Sequence, residues 1–444
     1  MRITTLAQRF SPGLLLGLAM TAGACGNELD TRGNIGGANQ NVRRVGNLPG
    51  GWLLGKGDIA LHFDGKSFLT VRNGKLFSGT SDGSSLGAVG SLSAPERLAF
   101  VPGRSAFVAL KDGKLFNFDQ SKGEQAWESS ALDARRLDVS PDGRRVVVGF
   151  STTARVLDAD TGAELSVIST GGPVRDVDFL NNGRILITAE GSHTDAAEAN
   201  SSQIRVVDAE NGEETCRSTV NNCAGEVEVS PDGQTAFLSP TVCNIDPVSV
   251  LSLADGGCEV RETTPGFGPV ALSPDGTTVV AFLDRDLPAD GVPADVLSSN
   301  TRFHLMFMDA KTLKFTTMPV SDDLPRFAFT PDGKSLLVDL PLDPLASLKV
   351  VDVAAKKLRE VKGPPLKLNA FSFSPDSSRA FIVDNQLFNL DLAGAAVRAN
   401  GLNLPLAGIN VTPEGPTVVV SQASDAALVF LDAISGTEKA RKTY

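Results

Sequence analysis

Asp138, Asp178 and Glu228 occupy the same place in three successive copies of a repeated phrase, each flanked on both sides by an apolar residue. Carboxylates at one register of neighbouring strands offer the oxygen-only donor set that a hard cation such as Ca²⁺ takes, with water completing its shell. The competing reading has each carboxylate solvated or bonded to nearby backbone, steadying its own segment. Over all copies the register runs His62, Ala99, Asp138, Asp178, Glu228, Ala271, Ala328, Ser372, Asn410. Four of these nine are Ala or Ser, too few polar groups for the convergent ligand set a metal-dependent hydrolase needs. Apart from that Ca²⁺ ion, no cofactor is implied.

Other catalytic signatures are weak. The three histidines, His62, His193 and His304, stand at no metal-ligand spacing from one another. His304 alternates with Phe303 and Leu305 on a strand-like stretch, which points to core or surface placement. Gly79-Thr80-Ser81-Asp82-Gly83 matches G-x-S-x-G, but Ser84-Ser85-Leu86-Gly87 follows where a nucleophile elbow requires a helix, so a turn is expected. Asp284, Asp286 and Asp290 lack the spacing and glycine of an EF-hand loop. Four cysteines, Cys216, Cys223, Cys243 and Cys258, fall in one short stretch. No close C-x-x-C pair favours zinc. Of the three possible pairings, Cys216–Cys223 and Cys243–Cys258 close the shortest loops and are the expected disulfides. Few aromatic platforms suit a sugar: the chain has two Trp and one Tyr, and its 23 Phe read chiefly as core.

The elements that would hold these residues follow from one repeat. Leu137-Asp138-Val139-Ser140-Pro141-Asp142-Gly143 precedes the apolar run Val146-Val147-Val148, and the phrase returns at 227–233, 270–276 and 327–333. Looser copies end at Ser377 and Gly415, and degenerate ones at Gly65, Gly103 and Gly183. Apolar residues two apart make one strand face, while Pro, Asp and Gly close a hairpin to the next strand. A third strand ends in Asp, as at Asp158, Asp208, Asp309, Asp352 and Asp432, and a short turn leads to a fourth. Four short antiparallel strands per roughly 40–45 residues is the length of a propeller blade. A single such sheet cannot bury both faces, so the sheets must stack on one another.

The Ser-Pro-Asp-Gly hairpins resemble those of the bacterial WD40-like and YVTN-type β-propellers, in the style of the TolB propeller. The resemblance covers about residues 50–440 and implies an all-β propeller of four-stranded antiparallel blades, with little said about function. Eight blades are the best count, with seven or nine as alternatives, and residues around 50–58 are expected to pair with the last blade. Asp119-x-x-x-Gly123-x-x-x-Trp127 also matches the blade motif of quinoprotein propellers, in which the Trp docks on the neighbouring blade. Other units keep Asp and Gly but replace Trp by Ser166, Cys216 or Ala440.

Two units carry long insertions between marker glycine and strand-ending Asp, about 190–203 and 284–302, rich in Ala, Asp, Ser and Pro. Long loops on a rigid scaffold are where recognition commonly lives. Asp195, Asp284, Asp286, Asp290 and Asp295 are therefore candidate binding-loop residues, against the plainer reading of neutral surface insertions.

The N-terminus reads as an export signal, residues 1–24: Arg2 and Arg9, then an apolar stretch around 12–20 too short to span a bilayer, then Ala22-Gly23-Ala24. Ala22-Gly23-Ala24-Cys25 resembles a bacterial lipobox, with Ala in place of the usual Leu, which implies lipidation of Cys25. Plain secretion is the alternative. Residues 25–50 would be a flexible tether and 51–440 the propeller. The net charge of −11 repels phosphate backbones and disfavours nucleic acid as a partner. Together these features predict an envelope lipoprotein, anchored through lipid alone and facing periplasm or cell surface. It would work as a non-catalytic scaffold for a protein or peptide. The alternative function is a propeller hydrolase or lactonase with a metal in the channel.

Overall fold

The computed structural model describes residues 59–443 apart from short internal segments, the longest being 192–200, 241–247 and 341–347. Residues 1–58, with Cys25, the tether and the expected closing segment, lie outside the described residues, as do His62, His193, Asp195, Cys223, Cys243 and Asp290.

The chain is an all-β propeller of nine four-stranded antiparallel blades, one more than the sequence count. Blades 1 to 9 span 59–93, 97–128, 136–169, 174–220, 224–264, 267–321, 326–360, 370–399 and 406–443. The undercount arose at the N-terminus. There the hairpin markers are degenerate, yet both segments still form complete sheets, because alternating apolar residues and not the Ser-Pro-Asp-Gly phrase determine whether a strand is buried.

Each hairpin marker works through its side chains. In blade 3 Ser140 Oγ donates to Asp142 Oδ1 (2.6 Å) and accepts the Arg145 amide (2.9 Å), while the Arg144 amide donates to Asp142 Oδ1 (3.0 Å). Ser230–Asp232 and Ser273–Asp275 repeat the arrangement. Hydrogen bonds from Ser230 hold Asp232 below the ordinary carboxylate value, and those from Ser374 do the same for Asp376. Thr80 and Ser84 bring Asp82 to about 2, and the Ser435 amide and Lys439 bring Asp432 to about 2. A folded state that resists protonation is stabilised above pH 4 and loses that stability as the unfolded chain takes up protons. The thermal midpoint should therefore fall as pH drops from 4 toward 2, and Asp232→Asn with Asp376→Asn should flatten that slope. A midpoint constant down to pH 2 would contradict this account.

At the turn between third and fourth strands the backbone enters the left-handed region. Blades 3, 4, 5 and 9 place Gly162, Gly212, Gly256 and Gly436 there, whereas blades 6, 7 and 8 use Leu313, Lys356 and Ala395, at φ 58°, 49° and 47°. A Cβ in that region costs about 1–2 kcal/mol. Lys356 is exposed and contributes no core packing. Lys356→Gly should raise unfolding free energy by about 1 kcal/mol, offset in part by unfolded-chain entropy; denaturant titration reads it, and a loss of stability would count against strain there.

The core lies between blades. One apolar cluster fills each seam, from blades 1–2 (Leu69, Leu76, Phe107) round to blades 8–9 (Phe381, Val418, Val429). Second-strand residues such as Val146, Val147 and Val148 are fully buried because neighbours cover both faces of the sheet. Among the described residues blade 9 takes all four strands from the C-terminal segment, and its contact with blade 1 is face packing: Ile59 and Phe68 of blade 1 meet Val419, Leu428 and Phe430 of blade 9.

Candidate functional site

Three polar residues of the inner-strand register, Asp138, Ser372 and Asn410, make blade-to-blade bonds. Asp138 is buried, and its Oδ2 accepts the Phe179 amide of blade 4 at 2.7 Å. Ser372 Oγ accepts the Val411 amide of blade 9 at 3.2 Å, and Asn410 Nδ2 donates to the Ile59 carbonyl of blade 1 at 3.1 Å. Asp178 is likewise buried and Glu228 half-buried. Among the described residues no group of three or more His, Cys, Asp or Glu side chains is arranged to hold a metal ion. The structure thus places Asp138, Asp178 and Glu228 on neighbouring inner strands, as the register required, without gathering them into one ligand set.

The insertion of blade 6 is built as a clamp. Asp284, with a side chain 1% exposed, receives Arg302 Nε at 3.0 Å and Nη2 at 2.8 Å, and also caps the Asp286 amide at 2.9 Å. Arg285 bonds Asp286 (2.9 Å) and the Ser299 carbonyl (3.0 Å). The bond from Arg285 lowers the Asp286 carboxyl. A short helix, Ala294–Leu297, drives Val296 into the seam core of blades 5 and 6. Asp284 and Asp286 therefore order the loop, and Asp295 is exposed. His304 is a core residue, 3% exposed, and burial pushes its imidazole below the ordinary 6.5.

The cysteines correct an expectation. Cys216 bonds Cys258, 42 residues on, and neither Cys216–Cys223 nor Cys243–Cys258 forms. Loop length was the wrong guide, because the bond joins two blades. Cys216 lies on the outer strand of blade 4 and Cys258 beside the third-strand turn of blade 5.

That position has a counterpart at other seams. Opposite the third-strand residue two before the turn, the outer strands carry Trp127, Ser166, Cys216, Thr316, Arg359 and Ala440 in blades 2, 3, 4, 6, 7 and 9. Trp127 lies on the turn of blade 3, its Nε1 donating to the Ala159 carbonyl at 3.0 Å. Gly162 permits this approach, since a Cβ there would sit 2.7 Å from the indole. Arg359 Nη2 donates to the equivalent carbonyl of blade 8, Leu392, at 3.1 Å. Ser166 lies against Gly212 and Ala440 against Gly83, so both seams are tight.

The seam between blades 6 and 7 differs. There Thr316 is the short residue, no glycine brings the neighbouring turn close, and a cleft of about 520 Å³ opens. Phe307, of the blade 6–7 core, lies beneath it, Val353 packs beside that core, and Phe315 and the strand around Met308 line it further. Lys314, Lys334 and Lys356 stand at its rim. Lys334 faces Asp332 at 3.7 Å, while Lys314 and Lys356 form no ion pair among the described residues. The rim carboxylates are engaged locally: Asp275 accepts from Ser273 and Thr277, and Asp309 from Lys311 and Thr312. Its size is that of a small-ligand or side-chain site. Sequence reading missed it because this unit lacks the Gly and Trp of the blade motif; the remaining signal was Lys356 at a position that favours glycine.

The fold and seams define a nine-bladed β-propeller. No protein-family model matches the sequence, and no curated protein is significantly similar to it. Solved structures share the fold at low identity. A eukaryotic initiation factor is 12% identical with a TM-score of 0.56, covering 85% of this chain and 96% of its own. Dihydro-heme d1 dehydrogenase NirN in complex with DHE is 14% identical with a TM-score of 0.50, covering 75% of this chain and 71% of its own. The β-propeller domain of Myceliophteria thermophila Cps50 (Swd1) is 12% identical, with a TM-score of 0.39 over 66% of this chain and 94% of its own. At these identities the likeness concerns fold alone.

Proposed function

We propose that the chain is an exported bacterial envelope lipoprotein, anchored through lipid on Cys25, whose propeller is a non-catalytic scaffold for a protein or peptide partner. What carries the scaffold reading is the use of the inner-strand polar groups. Asp138, Ser372 and Asn410 bond the next blade's backbone, which makes the channel wall part of the framework. Export gains support from the Cys216–Cys258 bond, since a disulfide in the framework suits an oxidising compartment. A bacterial host expressing the full chain with a C-terminal tag tests both parts. Labelled palmitate should enter the wild-type chain and not Cys25→Ser, and envelope cross-linking should capture a partner that rebinds the purified propeller. Cytosolic fractionation, or turnover of a lactone by the purified chain, would overturn the proposal.

A further inference from the structure

We infer that the seam between blades 6 and 7 is a docking site for an extended peptide carrying an aromatic side chain next to a carboxylate. The inference deepens the scaffold reading and rests on it. Within this molecule a side chain at the same position already shows how such a seam is filled: Trp127 packs on the turn of blade 3 and gives its indole N–H to the carbonyl of Ala159. In blade 7 the equivalent carbonyl belongs to Val353, whose amide bonds Lys334 O as that of Ala159 bonds Arg144 O. Among the described residues no donor reaches the Val353 carbonyl, and Thr316, paired with Phe307, is too short to cover it as Trp127 covers its own seam. A partner's Trp entering the cleft would supply in trans the ring and N–H donor that Trp127 supplies in cis.

The rim determines what flanks that ring. Lys314 and Lys356 are exposed and lack ion pairs among the described residues, whereas Asp275 and Asp309 have oxygens bonded within their own turns. A carboxylate adjoining the aromatic residue meets the two ammonium groups, while a lysine there meets repulsion from them and finds Asp275 and Asp309 each with one oxygen already bonded within its turn.

The test uses the purified chain and acetylated, amidated nonapeptides centred on Trp-Asp, Trp-Lys or Ala-Asp, with calorimetry as the readout. The Trp-Asp peptide should bind, and each other peptide should bind at least about tenfold more weakly. Thr316→Trp, which fills the cleft from within, should abolish binding while leaving the thermal midpoint unchanged or higher. The double variant Lys314→Ala, Lys356→Ala should weaken the Trp-Asp peptide about tenfold and should not weaken the Trp-Lys peptide. No binding, binding indifferent to Thr316→Trp, or equal binding of N-acetyltryptophan alone would overturn the inference. An envelope partner still captured by Thr316→Trp would sink this site and leave the scaffold reading standing.

Discussion

Cys216→Ser is expected to lower the unfolding free energy by about 4 kcal/mol, the chain-entropy value for a cross-link spanning 42 residues. Its position should make the loss cooperative. The bond joins the outer strand of blade 4 to the turn of blade 5, over a seam packed by Val206, Leu238 and Leu251. Thr215 Oγ1 adds only a 3.3 Å bond to the Gly256 carbonyl at that place. Guanidinium titration of wild type and variant, each with and without reductant, isolates the effect. Reductant should bring the wild type to the variant and leave the variant unchanged. Equal midpoints for oxidised wild type and variant would show that the seam core alone holds blades 4 and 5 together.

The second large effect lies where the ring closes. Phe430 is fully buried between blades 9 and 1, its ring 6.0 Å from that of Phe68 and against Gly83. Phe430→Ala should cost about 3–5 kcal/mol, the range for emptying a buried aromatic site. Among the described residues this seam has the fewest apolar partners and no strand shared between blades 9 and 1, so little can collapse into the cavity. Hydrogen exchange should show amides of blades 1 and 9 losing protection before those of blades 4 and 5. Uniform loss across all blades would indicate that the ring unfolds as one unit whatever seam is weakened.

Most of the architecture was legible because the repeat states its own physics. Ser140, Asp142 and Gly143 announce the hairpin, and alternation around Asp138 announces the strand. Blade 1 and blade 2 lack these polar markers, so their strands read less clearly and one blade was lost from the count. The disulfide was misread because proximity along the chain was used as a proxy for proximity in space. A better signal was present: Cys216 occupies the position of Trp127, which docks on the neighbouring turn, and Cys258 follows such a turn. The acidic insertion read as a recognition loop because of its length; nothing in the sequence signals that Arg302, 18 residues on, lies against Asp284. The blade 6–7 cleft stayed hidden for the opposite reason. It is a departure from the repeat, created by Thr316 and the absent glycine, and sequence patterns reveal shared features more readily than gaps.

Every blade takes its four strands from one uninterrupted run of sequence, and blade 9 meets blade 1 side chain to side chain. Among the described residues no hydrogen-bonded ladder joins blade 9 to blade 1. A gene rearranged to open between blades 3 and 4, near residue 171, and to join the old ends by a flexible linker would encode the same nine sheets in the same cyclic order. Among the described strands, chain order alone makes one blade the first, and side-chain packing joins the last blade to it.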